Sequence, residues 1–273
     1  MRKEQLAINS ISTRHSDLEE ALEAYSAAGF RQVEFHLPLI RQWLVDGRTL
    51  ADVAALLKSR ELKPIGGFEV ALFGFAPKSE RAENLRVQRE NAELIHALGG
   101  GTLVVGTDGP PVPSVEALPV LADAVRLFAN SIDRLDVTVA LEFNWGPLVK
   151  SLASAVEVCE QVGRPNVGIL FDPAHYHCTV TKFEDLDQRS IPWIKHVHLD
   201  DMQDKPGELS NCNSDRVLPG EGILDLPALI TRIEVGGYTG AFSIEMFNDK
   251  LWELPSAEAA RRCYDSLVPL CTT

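Results

Sequence analysis

Cysteine is scarce in this sequence and shows no paired spacing. The five cysteines are widely scattered and include no CxxC motif: Cys159, Cys178, Cys212, Cys263 and Cys271. Closely spaced cysteines are typical of disulfide frameworks and of structural zinc sites, so the sequence argues against both. We therefore expect free thiols in a reducing compartment, which predicts a cytoplasmic protein.

Long apolar runs and an excess of basic charge are also missing. No uncharged stretch approaches the roughly 20 residues that a membrane-spanning helix needs. The first ten residues, MRKEQLAINS, have no long apolar core, so we expect no secretory signal. The 26 Lys and Arg residues are outnumbered by 39 Asp and Glu, which gives a formal net charge of −13. An acidic surface of this kind argues against sequence-independent binding to nucleic acid and against attachment to an anionic membrane, and we expect neither as a partner.

Short apolar segments with strand composition alternate with helix-like segments along the whole chain. Strands are predicted at residues 5–10, 32–36, 62–67, 102–106, 138–143, 167–171, 196–200 and 240–246. Helices are predicted at residues 17–28, 49–59, 80–98, 114–135, 151–162, 225–235 and 256–267. For the first helix we expect Ser16 as the N-cap and Gly29 just past the C-terminal end.

This alternation predicts parallel strands joined by helical crossovers. The chain has eight predicted strands and no GxGxxG motif after the first one. Both facts favour a closed (β/α)8 TIM barrel over an open doubly wound sheet. No linker or low-complexity segment divides the chain, so we predict a single α/β domain over residues 1–273.

An ionisable side chain stands near the end of each of the last four predicted strands: Glu142, Asp172, His198 and Glu245. Taken singly, each could be a cap, a turn residue, a core histidine or half of an ion pair. In a parallel barrel, however, the strand C-termini converge on one mouth, so the four should meet there. Burying several acids together is costly unless a cation neutralises them. The set therefore predicts a divalent-metal site, with Mn²⁺ favoured and Mg²⁺, Co²⁺ or Zn²⁺ as alternatives.

Other residues could line a substrate pocket at this mouth. His175 follows Asp172 by three residues, and Trp145 lies just beyond Glu142, where its ring could stack on a sugar. Arg216 falls in the long irregular segment 202–219, which we expect to cover the barrel mouth. Glu34 could line the far side. Each has an equally ordinary interpretation as packing or as part of a salt bridge.

Several motifs resemble the xylose isomerase-like barrel superfamily, and within it the inosose isomerase (2-keto-myo-inositol isomerase) branch. They are ALEF at 140–143, FDPAHYH at 171–177, VHLDD at 197–201, DRVLPGEG at 215–222 and IEMFN at 244–248, and the resemblance covers nearly the whole chain. It implies that the positions of Glu142, Asp172, His198 and Glu245 bind the catalytic metal and that His175 lines the active site. By the same resemblance, Glu142 and Glu245 would be the two acid/base groups.

The resemblance leaves several reactions open. We expect a metal-dependent isomerase or epimerase that acts on a keto-sugar or keto-cyclitol through an enediolate. A metal-dependent lyase, of the inosose or dehydroshikimate dehydratase type, could use the same site. A non-catalytic sugar-binding barrel is disfavoured, because a scaffold need not keep buried acids. The superfamily also includes endonuclease IV, but three of its zinc ligands are missing here; Val217 stands in one of those positions. Association into a homo-oligomer is left open.

Overall fold

Eight parallel strands close into a barrel in the computed structural model, which describes residues 1–45, 47–112 and 114–272. The barrel strands are β1 Leu6–Asn9, β2 Gln32–His36, β3 Lys63–Phe68, β4 Thr102–Val105, β5 Thr138–Glu142, β6 Val167–Phe171, β7 Ile194–Leu199 and β10 Phe242–Ile244. The closure is made by β1, which pairs with β2 on one side and with β10 on the other. The predicted single-domain TIM barrel is confirmed.

Two short strands lie outside the barrel. β8 Asp201–Met202 and β9 Arg216–Val217 pair antiparallel and form a small ribbon after β7. The ribbon carries the segment 203–215 between its strands. Because β8 starts two residues after β7 ends, this segment lies at the C-terminal mouth of the barrel, as the sequence predicted.

Helices connect successive barrel strands, and two more follow the last strand. They are α1 Leu18–Ala28, α2 Leu37–Val45, α3 Leu50–Ser59, α4 Lys78–Leu98, α5 Ala117–Ser131, α6 Leu152–Val162, α7 Pro173–Cys178, α8 Leu226–Val235, α9 Asp249–Trp252 and α10 Ser256–Leu267. The sequence did not predict α2, α7 or α9. None of the helices in the described ranges is long and apolar enough to cross a membrane. All five cysteines are unpaired.

The start of α1 corrects one expectation. The N-cap is Asp17, whose carboxylate accepts a hydrogen bond from the backbone N–H of Glu20 at 2.9 Å. The Ser16 hydroxyl hydrogen-bonds to Ser256 at the start of α10 instead. At the other end, Gly29 adopts a left-handed φ of 117°, as its predicted position past the helix requires.

The apolar core surrounds the barrel strands on both faces. All five residues of β6 are buried, as expected for a strand covered by helices outside and by packed side chains inside. The helices bury one apolar face each, and α5 contributes Leu121, Val125 and Phe128. Burial of each such side chain stabilises the fold by about 1.5–3 kcal/mol. This packing fixes the ends of the strands, and therefore the side chains at the mouth.

Candidate metal centre

Four ionisable side chains from neighbouring strands converge at the mouth of the barrel. Glu142 ends β5, Asp172 follows β6, His198 lies in β7 and Glu245 follows β10. Each offers one oxygen or nitrogen atom, and these four atoms all lie within 4.8 Å of one another. The structure thus brings together the four residues predicted as metal ligands. Their binding of an ion remains a prediction.

The carboxylates of Asp172 and Glu245 each accept a hydrogen bond from a neutral N–H group through one oxygen. The second oxygen of each faces the centre of the cluster. Asp172 Oδ1 accepts a hydrogen bond from the His175 backbone N–H at 3.1 Å and caps α7. Glu245 Oε1 accepts one from Asn9 Nδ2 at 3.0 Å. The remaining oxygens, Asp172 Oδ2 and Glu245 Oε2, lie 3.3 and 3.2 Å from His198 Nδ1. The set is therefore ordered before any ion arrives.

Arg216 brings a guanidinium group into the same cluster and is almost fully buried. Its Nη1 lies 2.7 Å from Asp200 Oδ2 and 2.9 Å from Glu245 Oε2, and its Nη2 lies 3.1 Å from Asp172 Oδ2. Burial would raise the pKa of Asp172, but the positive charge of Arg216 holds it well below its usual range. For Asp200, burial and the nearby Asp172 charge raise the pKa well above the ordinary value.

His175 is the partner of Glu142 on the other side of the cluster, with Nε2 3.4 Å from Glu142 Oε1. Burial would lower the pKa of His175, but the charges of Asp172 and Glu142 raise it well above its usual value. Burial would likewise raise the pKa of Glu142, and the His175 charge outweighs it, so that the pKa of Glu142 is lowered. Glu142 is therefore held in its ionised form near neutral pH.

The donor chemistry of the centre fits a divalent cation. Three carboxylates crowd together at this mouth, those of Glu142, Asp172 and Glu245, and the carboxyl group of Asp200 lies beside them. Like charges this close repel unless cations lie between them. Carboxylate oxygens with one imidazole nitrogen suit hard or borderline ions, and no thiolate belongs to the set. Two of the alternative interpretations are also observed within this cluster. Asp172 caps helix α7, and Glu245 forms an ion pair with Arg216.

A cavity of about 360 Å³ opens above this cluster. Glu142 and Glu245 line it, whereas Asp172 and His198 lie beneath and are almost fully buried. Three of the residues predicted to bind substrate, His175, Arg216 and Trp145, also line the cavity. Apart from Glu69, which pairs with Arg41, the facing wall is uncharged and includes Phe68, Val70, Ala71, Val104 and Gly106.

Glu34 does not lie where the sequence suggested. Its side chain is fully buried below the cavity and is absent from the cavity lining. It lies 3.0 Å from His196 Nε2 and 3.1 Å from His198 Nε2. Burial would raise the pKa of Glu34, but the two imidazoles hold it well below its usual range. A direct contact between Glu34 and substrate is thus inconsistent with its depth in the barrel.

Sequence reasoning missed two contributors to the centre, Asp200 and Asn9. Asp200 follows His196 and His198 at a spacing of two residues, so all three share one strand face. That period could have indicated Asp200. Asn9 ends β1, which is separated from β7 by β10 in the barrel order. Nothing local distinguishes it from any other polar residue at a strand end.

The chain belongs to the xylose isomerase-like TIM barrel family, whose model matches residues 22–267. It is 28% identical to an inosose isomerase from Halalkalibacterium halodurans over 97% of this chain and 95% of the relative. A solved structure of the IolI protein, described as having a bound zinc atom, is similar with a TM-score of 0.86 and 25% identity, over 97% of both chains. A 3-dehydroshikimate dehydratase from Pseudomonas putida is 26% identical over 93% of this chain, which spans 40% of that protein.

Proposed function

We propose that this protein is a divalent-metal-dependent inosose isomerase that acts on a keto-cyclitol or a related keto-sugar. The observation that carries the proposal is the convergence of Glu142, Asp172, His198 and Glu245 at one side of the cavity. Similarity to an inosose isomerase over nearly the full length of both chains supports the same activity. A divalent ion held by the four side chains would supply Lewis-acid polarisation of the substrate ketone and the adjacent hydroxyl.

The two glutamates are suited to moving the substrate proton. Both line the cavity, and they come from β5 and β10, which stand on opposite sides of the centre. The ionised Glu142 can accept a proton from the carbon next to the ketone, while His175 stays beside it to hold the carboxylate in place. Glu245, held by Asn9 and Arg216, can take up a proton from solvent and deliver it from the other side, while Glu142 releases the abstracted proton to solvent. Such acid/base pairs contribute about 10²–10⁴-fold to a rate.

The cavity lining supports a neutral substrate. Within the part of the chain that the structure describes, its basic side chains are His175 and Arg216. His175 is paired with Glu142, and Arg216 contacts three carboxylates. A phosphate or carboxylate on the substrate would therefore meet no cationic side chain that is not already paired. This disfavours a dehydroshikimate-type substrate, which carries a carboxylate, and with it the dehydroshikimate dehydratase form of the lyase alternative.

Finer points are part of the proposal. Mn²⁺ is our first choice of ion, because oxygen donors predominate; the zinc in the related IolI structure keeps Zn²⁺ as an alternative. Epimerisation would result if the proton returned to the same carbon. We also propose a cytoplasmic location, in line with the five unpaired cysteines.

Proton exchange in heavy water tests the proposed function. The Mn²⁺-loaded protein is incubated with inososes and with neutral keto-sugars, and the products are followed by NMR and mass spectrometry. We expect deuterium at the carbon next to the ketone and a product of otherwise unchanged composition. Loss of a mass equal to one water would indicate the dehydratase instead. No exchange with any of these substrates would contradict the proposal.

A further inference from the structure

We propose that Glu34 is a positioning residue that fixes which ring nitrogen of His198 faces the metal centre, and that His196 shares this carboxylate rather than completing a second metal site. The inference rests on the proposed metal centre and adds a role for two buried residues beneath it. Neither residue lines the cavity.

The two nitrogens of the His198 ring face different groups. Nδ1 points to the ligand carboxylates of Asp172 and Glu245, at 3.3 and 3.2 Å. Nε2 points away from them and lies 3.1 Å from Glu34 Oε2 and 3.2 Å from Glu34 Oε1. The Glu34 carboxylate therefore occupies the Nε2 side of the ring, and Nδ1 is the ring nitrogen that faces the proposed ligand carboxylates.

The contact between Glu34 and His198 crosses the interior of the barrel. Glu34 belongs to β2 and His198 to β7, and β1 and β10 stand between these strands in the barrel order. Glu34 is 0% exposed and His198 is 1% exposed. A buried charge at this depth needs polar partners, and the two imidazoles provide them. Metal-binding histidines commonly donate their second N–H to such a carboxylate, which fixes ring orientation.

His196 raises an alternative, because Glu34, His196 and His198 also bring three donor atoms within 4.8 Å. The group offers only these three donors among the described residues, whereas closed structural sites usually have four. All three are almost fully buried and lie away from the cavity. His196 Nε2 already lies 3.0 Å from Glu34. We therefore assign His196 as a second hydrogen-bond donor to Glu34.

Calorimetric titration with Mn²⁺ and with Zn²⁺ tests the inference in the full chain, with the bound metal counted by mass spectrometry. We expect one ion per wild-type chain. Glu34→Leu removes the acceptor and should weaken ion binding about 10–100-fold. Glu34→Gln keeps an acceptor oxygen and should recover most of that loss. His196→Leu is the matched control, because it removes a buried partner of Glu34 but leaves the bond to His198; its ion affinity should stay close to wild type.

Ring ¹⁵N NMR of the Zn²⁺-loaded wild type gives a readout that needs no folded variant. We expect a proton on Nε2 of His198 and the metal on Nδ1; the reverse assignment would overturn the inference. Equal ion affinity in Glu34→Leu and wild type would overturn it too. Binding of two ions per wild-type chain, with one ion lost in both Glu34→Leu and His196→Leu, would also overturn it, because it would show a second metal site. A wild type that binds no ion would contradict the proposed function itself, whereas the other outcomes leave that function intact.

Discussion

The two halves of the barrel mouth differ in chemistry. On the side of β5, β6, β7 and β10, the strand ends carry Glu142, Asp172, His198, Asp200 and Glu245, most of them buried. On the side of β3 and β4, the wall of the same cavity is formed largely by Phe68, Val70, Ala71, Val104 and Gly106. The first half concentrates charge, which suits ion binding and proton transfer. The second offers shape and apolar surface, which suits substrate fit.

The loops of the two halves are also held differently. The segment after β3 is fixed by neutral hydrogen bonds from α4: Asn84 bonds to Phe73 N–H and Ala71 C=O, and Gln88 bonds to Val70 C=O. The segment before β9 is tied to the ion cluster through Arg216, whose Nε donates to Cys212 C=O at 2.7 Å. Changes to the charged half should therefore affect both the ion site and its loop. Changes to the neutral half should leave ion binding unchanged.

Of the changes that separate the two halves, removal of the divalent ion should have the largest effect on the exchange rate. A chelator should abolish the heavy-water exchange, because the charged half then lacks the group that polarises the ketone. Adding back Mn²⁺ should restore it. An ion at 100 times its dissociation constant should also stabilise the fold by about 2.7 kcal/mol, seen as a higher melting temperature. Full exchange in the chelated, metal-free protein would contradict a metal-dependent reaction.

The substitutions Glu142→Gln and Glu245→Gln should have the second largest effect on the exchange rate. Each removes a carboxylate that lines the cavity, so the exchange rate should fall by about 10²–10⁴-fold. Glu69→Gln is the matched control: Glu69 lines the same cavity from the neutral half and pairs with Arg41 at 3.1 Å. We expect a much smaller change there. Exchange at the wild-type rate in either of the first two variants would refute the acid/base roles.

Phe68→Ala tests the neutral half directly. Phe68 ends β3 and lines the cavity wall, so loss of its ring removes apolar contact with substrate. We expect KM to rise about tenfold, equivalent to about 1.4 kcal/mol of binding. Calorimetry should give an unchanged Mn²⁺ affinity. Weakened Mn²⁺ binding in this variant would mean that the two halves are not separable.

Asn84→Ala should give the smallest effect. It removes two hydrogen bonds that hold the loop after β3, at 2.8 and 2.9 Å. Each net bond stabilises by about 0.5–1.5 kcal/mol, so the melting temperature should drop modestly. KM should rise a few-fold because the cavity wall loosens, with ion affinity preserved. A KM equal to that of wild type would show that the wall does not depend on this helix.

The sequence predicted the elements whose signals are local. Strands β2 and β6 were predicted at their observed ends, because β6 is a compact apolar run and β2 alternates the apolar Val33 and Phe35 with polar residues. Helix α2 was missed because it begins at Leu37, directly after β2, with no intervening loop to mark a boundary. For β7, the predicted start at residue 196 lies two residues after the observed start at Ile194.

For the candidate site, too, the sequence predicted some features and not others. Convergence of the four proposed ligands follows from barrel closure alone. The depth of Glu34 does not, because the period of a strand gives the face but not the layer of the barrel interior. Glu34 lies two residues before the end of β2, and two residues of strand rise about 6.6 Å. A residue at that distance from the strand end lies below the mouth of the barrel. Glu34 therefore contacts His198 from beneath.

Anomalous X-ray diffraction from crystals soaked in Mn²⁺ tests most directly whether the charged half of the mouth is a metal centre. We expect one strong peak per chain at bonding distance from the proposed oxygen donors of Glu142, Asp172 and Glu245 and from Nδ1 of His198. A peak elsewhere in the chain, or none at an ion concentration that supports exchange, would contradict this assignment.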